Sequence, residues 1–115
     1  MTTVVKPWGR EEWFAHTSRY AGKILHITAG ERLSVQYHRE KDETSMLLSG
    51  RIEIATGPTV DALAARIIEP GGAWRVPALT VHTVSALEDS VIVEVSTPEL
   101  DDVVRLDDRY GRCDG

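Results

Sequence analysis

The chain of 115 residues has little of several features that mark large protein classes. Its one cysteine is Cys113, so no intrachain disulfide can form, and the core or a metal must stabilise the fold. No apolar stretch approaches the roughly 20 residues needed to cross a bilayer. The first six residues lack the charged-then-apolar layout of a signal peptide, so we expect a cytoplasmic protein.

Runs of like charge and internal repeats are also missing. The net charge is -5, and binding to nucleic acid needs clustered Lys and Arg, so we expect neither a nucleic-acid nor a membrane partner. Hydrophobic residues make up 42% and charged residues 27% of the chain, which is typical of a globular protein. The length fits a single compact domain spanning residues 1–115.

What the sequence does have is a series of short β-type runs separated by Gly, Pro and Asp. These runs are 12–15, 23–28, 33–38, 46–48, 51–55, 65–68, 73–76, 81–87 and 91–95. Short, evenly spaced strands predict an all-β sandwich or barrel. Ser49-Gly50 indicates a hairpin between two runs. The one stretch with helical character is 60–66, which is too short to be stable alone.

Four polar side chains have a spacing that would suit a metal. Gln36 and His38 lie two residues apart, so a strand directs both to one face. Glu43 follows after a turn, and His82 lies on a later strand. Imidazole and carboxylate groups bind Zn, Fe, Mn or Ni, but each residue alone could equally be a packing or solvated group. From spacing alone, the sequence predicts no more than a metal site on a β scaffold.

Two spaced motifs raise this expectation. Between Gly30 and Gly50 the chain has Gly, five residues, Gln36, one residue, His38, four residues, Glu43, six residues and Gly, which resembles the first cupin motif. The second motif is matched by Gly71, Pro77 and His82. The resemblance implies a double-stranded β-helix, the jelly-roll-like barrel of cupins.

The flanking segments narrow the resemblance. Residues 6–9 (Lys-Pro-Trp-Gly), 33–36 (Leu-Ser-Val-Gln), 101–105 (Asp-Asp-Val-Val-Arg) and 108–112 (Asp-Arg-Tyr-Gly-Arg) resemble phosphomannose isomerases. They are most similar to the C-terminal cupin domain of the type II enzymes, whose guanylyltransferase domain is not matched. In this family Gln-x-His contributes to a zinc site. Among the positions at which this sequence departs from the family pattern, Leu79 replaces the usual Gly before His82 and Ala86 replaces the usual Asn after it.

This resemblance implies a divalent metal held by Gln36, His38, Glu43 and His82, with Glu40 as a rival ligand. Zn is expected first, with Fe, Mn, Ni or Co as alternatives. The implied activity is aldose-ketose isomerisation of a small sugar phosphate such as mannose 6-phosphate, by a homodimer. Another metal-dependent cupin enzyme, such as an Fe(II) dioxygenase, and a non-enzymatic small-molecule binder are the alternatives.

Two further residues are catalytic candidates, and two are substrate-binding candidates. Lys23 shares a strand face with apolar residues, so it either reaches into a cavity or extends to the barrel rim. Glu94 interrupts an apolar strand, and if buried it could act as a base. Arg105 and Arg112 match the family tail and could bind phosphate, although surface ion pairing is equally compatible with their positions.

Overall fold

The computed structural model describes residues 1–112, in which eleven strands and one 3₁₀ turn alternate with short loops. The strands are β1 (Thr2–Lys6), β2 (Gly9–His16), β3 (Ala21–Ile27), β4 (Val35–Tyr37), β5 (Glu43–Ser49), β6 (Ile52–Gly57), β7 (Ala64–Ile68), β8 (Ala73–Val76), β9 (Val81–Ala86), β10 (Ser90–Ser96) and β11 (Val104–Asp107). Among these residues, no helix is long and apolar enough to span a membrane.

The strands form two antiparallel sheets. The larger has the order β1-β2-β3-β10-β5-β8 and the smaller the order β11-β4-β9-β6-β7. The chain repeatedly leaves one sheet for the other, which is the connectivity of a jelly-roll-like barrel. The predicted all-β fold is therefore confirmed.

One local prediction is wrong. Ser49-Gly50 does not close a hairpin, because β5 pairs with β10 and β8 whereas β6 pairs with β9 and β7. Gly50 instead carries the chain between sheets at a φ of 92°, where an added Cβ would lie 2.3 Å from the Ser90 hydroxyl. The stretch with helical character contains only the 3₁₀ turn Val60–Ala62, and strand pairing with β6 takes over from Ala64.

Strand alternation determines which side chains enter the barrel. On β3, Lys23, Leu25 and Ile27 are all buried, as their shared face predicts. A single apolar cluster forms the core; it consists of Trp8, Leu25, Ile27, Leu47, Ile52, Ile54, Ile68, Trp74, Val76, Val84, Ala86 and Ile92. Inward-facing polar residues lie on the same strands, beside this core.

Candidate metal centre

Three of the predicted ligands meet inside the barrel. His38 directly follows β4, Glu43 begins β5 and His82 lies on β9. One ligand atom from each residue lies within 4.8 Å of the others, and all three residues are buried. Nε2 of His38 is 3.0 Å, and Nε2 of His82 is 3.4 Å, from Oε1 of Glu43. Strands β4 and β9 of the smaller sheet position the two histidines, and β5 of the larger sheet positions the glutamate. The triad therefore bridges the two sheets.

The second nitrogen of each imidazole explains why this triad suits a cation. Nδ1 of His82 lies 2.9 Å from the Thr80 carbonyl oxygen, and Nδ1 of His38 contacts the Asp102 carbonyl oxygen. A carbonyl only accepts hydrogen bonds, so each Nδ1 donates. A neutral imidazole then presents a lone pair at Nε2, directed at the Glu43 carboxylate. With both imidazoles neutral in this tautomer, three electron-rich atoms converge and suit a metal ion; without a metal, a proton on Nε2 lets an imidazole donate a hydrogen bond to the Glu43 carboxylate.

Two neighbouring carboxyl groups in the site differ in protonation. Burial raises the pKa of Glu43, but hydrogen-bonded contacts with Glu94, His38 and His82 outweigh burial and hold that pKa well below its usual range. Burial and the nearby Glu43 charge raise the pKa of Glu94 to about 8. Glu43 is therefore ionised, as a carboxylate ligand of a metal must be, and Glu94 retains a proton near neutral pH.

Lys41 is a residue of the site that the sequence did not single out. Its Nζ lies 3.1 Å from Glu94 Oε2 and 4.0 Å from Glu43 Oε1, and the side chain is buried. Burial alone would lower the pKa of Lys41, but Glu94 and Glu43 outweigh it and raise the pKa, so the ammonium stays charged. In the sequence, a lysine in a charged loop is indistinguishable from a solvated one.

Asp102 anchors the loop between His38 and Glu43. Its carboxylate accepts backbone N–H bonds from Arg39, Glu40 and Lys41 at 3.0, 2.7 and 3.0 Å. Its carbonyl oxygen is also the partner of His38 Nδ1. Asp102 therefore fixes both the backbone that follows His38 and the imidazole ring of His38. This role could not be predicted from the sequence, because it depends on how the C-terminal segment folds back onto the loop.

Gln36 lies next to the triad. It is the register partner of His82 on β9 and of Arg105 on β11, and it lines the cavity. Its side-chain oxygen accepts a hydrogen bond from the Ser34 hydroxyl at 2.5 Å. The structure places Gln36 where a fourth ligand could come from, while its role as a ligand stays a prediction. Glu40 is exposed and lies outside the three-residue group.

The turn before β9 forms despite the missing glycine. Leu79 adopts a φ of 69°, a left-handed conformation that costs about 1–2 kcal/mol outside glycine. Its N–H donates to the His38 carbonyl oxygen at 2.7 Å. This bond ties the turn that precedes His82 to the residue that carries the other imidazole.

The triad opens into a cavity of about 140 Å³ between the sheets. A row of four register partners crosses the larger sheet and lines this cavity; in order, they are Trp13, Lys23, Glu94 and Ser45. Lys23 points inward as predicted, with Nζ 3.3 Å from Glu11 and 5.7 Å from the Trp13 ring centroid. The two catalytic candidates are thus neighbours in one row.

The predicted arginines also line the cavity. Arg105 lies on β11 beside Gln36. Arg112 holds Asp108 with two bonds of 2.8 and 3.1 Å and lies 5.5 Å from the Tyr110 ring centroid. Both arginines therefore reach the site, and Arg112 does so from within an ion pair.

Residues 1–108 match the family model described as Mannose-6-phosphate isomerase C-terminal. The chain belongs to this family. It is 29% identical over 120 residues to the mannose-1-phosphate guanylyltransferase ManC of Salmonella typhimurium, covering 95% of this chain and 23% of that protein. The alginate biosynthesis protein AlgA of Pseudomonas aeruginosa is 29% identical over 117 residues, with the same shares covered. The chain therefore spans about a quarter of the length of these relatives.

Solved structures agree on the fold. KdgF from Halomonas sp. superposes with a TM-score of 0.74 at 23% identity, covering 88% of this chain and 91% of that one. The Bacillus subtilis oxalate decarboxylase, described with Mn(II) centres, gives a TM-score of 0.78 at 16% identity, covering 92% of this chain and 30% of that one. These likenesses show a cupin barrel and support the predicted fold.

Proposed function

We propose that the protein is a metal-dependent sugar-phosphate isomerase that interconverts an aldose and a ketose such as mannose 6-phosphate and its ketose isomer. The observation that carries this proposal is the placement of the His38, Glu43 and His82 triad and the proton-bearing Glu94 in one cavity of a mannose-6-phosphate isomerase family domain. We propose Zn as the metal, with Gln36 as its fourth ligand. A divalent metal held there would polarise the sugar carbonyl.

Glu94 is the proposed base. Isomerisation moves a proton from one sugar carbon to the adjacent carbon, so the acting group must both accept and return it. With a pKa of about 8, the ionised form of Glu94 is a minor species near neutral pH but a stronger base than an ordinary carboxylate; that form accepts the sugar proton, and the resulting acid returns it to the adjacent carbon. Lys41, at 3.1 Å, fixes the carboxylate and balances the charge that it gains on losing its proton. Lys23, the register partner of Glu94, would stabilise an enediolate oxygen.

The test uses Glu94→Gln, with the exposed Glu53→Gln on β6 as the matched control. Native protein loaded with Zn should convert mannose 6-phosphate and, in D2O, incorporate deuterium at the carbon that exchanges its proton. Glu94→Gln should lose about 100-fold or more in turnover because it cannot accept a proton, while its metal content is unchanged. Glu53→Gln should behave as native.

A fully metallated native protein without turnover on a panel of aldose and ketose phosphates would rule out the isomerase. Oxygen consumption that depends on Fe(II) would favour the dioxygenase alternative, and retention of a sugar phosphate without turnover would favour a binding protein. A cytoplasmic location and a homodimer stay predictions, which fractionation and light scattering can test.

A further inference from the structure

The segment that joins β10 to β11 crosses from the larger sheet to the smaller one and roofs the cavity. Leu100, Asp101 and Val103 belong to this segment, lie outside the strands and line the cavity. The cavity has a volume of about 140 Å³, whereas small-molecule sites usually have roughly 300 Å³ or more. A ligand of the size of a sugar phosphate therefore needs this roof to move.

The start of this segment and the loop beneath it are both fixed to the barrel. The Thr97 N–H donates to the Asp42 carbonyl oxygen at 3.0 Å, and the Asp42 N–H donates to the Thr97 hydroxyl oxygen at 3.0 Å. The Asp42 carboxylate accepts two further bonds from Arg75, at 2.7 and 3.0 Å. In the same loop, Lys41 donates to Glu94 at 3.1 Å. Thr97 is therefore a stationary point about which the residues that follow it can turn.

The remainder of the segment is bonded mainly to itself. Leu100, Asp102 and Val103 donate their N–H groups to carbonyl oxygens two or three residues earlier. Within the part of the chain that the structure describes, the hydrogen bonds from residues 99–103 to the barrel are those of Asp102. Its carboxylate accepts three backbone N–H groups of the loop, and its carbonyl oxygen contacts Nδ1 of His38. One residue therefore holds the roof in its closed position.

Glu99 opposes the closed position. Its Oε2 atom is buried, and no residue of the described chain donates a hydrogen bond to it. A buried carboxylate oxygen without a partner raises the free energy of the conformation that buries it, and water would hydrate this oxygen once the segment swings out. Asp102 therefore favours closure through charge-assisted hydrogen bonds, while Glu99 favours opening.

We propose that residues 98–103 are a lid that opens and closes the cavity, with Thr97 as its fixed end and Asp102 as its latch. Closing the lid places the Asp102 carbonyl oxygen against Nδ1 of His38, so the entry of a ligand and the orientation of this imidazole are coupled. The closed lid excludes water once a ligand has entered. This inference concerns access to the cavity and holds whichever reaction follows.

The experiment measures amide hydrogen exchange in metal-free protein at Arg39, Glu40 and Lys41, whose amides are bonded to the Asp102 carboxylate. These amides exchange when Asp102 leaves them, so their rates report opening of the lid. Glu99→Met removes the unpartnered oxygen and should slow their exchange about fivefold or more, although none of them is bonded to Glu99. Asp102→Ala should accelerate it instead.

Two controls separate the lid from a general change in stability. Glu53→Met, at an exposed glutamate of β6, should exchange as the native protein does. The Leu47 amide, which is bonded to the Gly72 carbonyl oxygen beside the core, reports global unfolding. Slowing in Glu99→Met at residues 39–41 but not at Leu47 supports the lid. Unchanged rates at residues 39–41, or equal slowing at Leu47, would overturn it.

A second measurement tests access to the cavity. Diethyl pyrocarbonate reacts with unprotonated imidazole nitrogens; His82 is buried and lines the cavity, whereas His26 lies on the outer face of β3 and is partly exposed. The ratio of the rate at His82 to that at His26 should fall in Glu99→Met and rise in Asp102→Ala. A ratio that is the same in native protein and both variants would overturn the lid.

Neither measurement depends on turnover, so the two proposals fail separately. Isomerase activity together with unchanged exchange and modification rates in Glu99→Met would contradict the lid alone. Rates that respond as expected, in a protein without isomerase activity, would support the lid and contradict the proposed reaction.

Discussion

The two ends of the barrel interior differ along the same strands. On β3 the inward face runs from Lys23 to Ile27, and on β5 it runs from Glu43 to Leu47, while strand pairing keeps the polar residues at one end. The buried polar end holds charged groups in contact, and the apolar end holds the packed core. Because buried charges seldom stabilise a fold more than apolar packing of equal volume would, the core supplies the stability and the polar end is the candidate for function.

The largest loss of stability is expected for truncation of Leu47 on β5, and truncation of its neighbour Leu48 is the comparison. Leu47 is fully buried, whereas Leu48 is 46% exposed on the outer face. Leu47→Ala should lower the free energy of unfolding by about 2–5 kcal/mol, because it removes packed methyl groups and leaves a cavity. Leu48→Ala should cost less than about 1 kcal/mol. Urea unfolding of metal-free protein measures both, and equal losses would contradict the location of the core.

At the polar end, Asp102→Ala should have a smaller and more local effect. Removing the acceptor of three backbone N–H groups should cost about 1–3 kcal/mol and speed hydrogen exchange at Arg39, Glu40 and Lys41. Metal affinity should fall about tenfold, as for other partners that orient ligands. Asp61→Ala, at an exposed aspartate of the 3₁₀ turn outside the cavity lining, is the matched control. Unchanged hydrogen-exchange rates at the three amides would show that Asp102 does not stabilise this loop.

The smallest expected effect concerns the tail that follows β11. Hydrogen bonds from the Arg112 side chain are the main cause of a lowered pKa at Asp108. The resulting stabilisation is present above the usual carboxyl pKa and disappears as the pH falls through the lowered value. Asp108→Asn should therefore flatten the acid side of the stability profile, measured by urea unfolding between about pH 2 and 5. An identical profile in native and variant protein would contradict this ion pair.

Much of this contrast could be predicted from local pattern. Short β-type runs gave the all-β class, and period-two alternation placed Lys23 on the inward face with Leu25 and Ile27. The candidate ligand residues could not be grouped from local pattern alone. His38, Glu43 and His82 lie on separate elements, and only the spacing of the cupin motifs indicated that they belong together.

Long-range contacts account for what could not be predicted. Gly50 looked like a hairpin residue because turn composition does not say which sheet the next strand joins. Lys41 and Asp102 look like solvated charges until the chain brings Glu94 and the loop after His38 beside them. Strands β1 and β11 carry little local signal and form by pairing with β2 and β4.

The central claim is that the polar end is a metal site, and elemental analysis of purified protein tests it most directly. His38→Ala is compared with His16→Ala, an exposed histidine outside the triad, after growth with Zn, Mn and Fe supplied. We predict stoichiometric divalent metal in native protein and in His16→Ala, and its loss in His38→Ala. Native protein without stoichiometric metal, or His38→Ala protein that retains it in full, would contradict the claim.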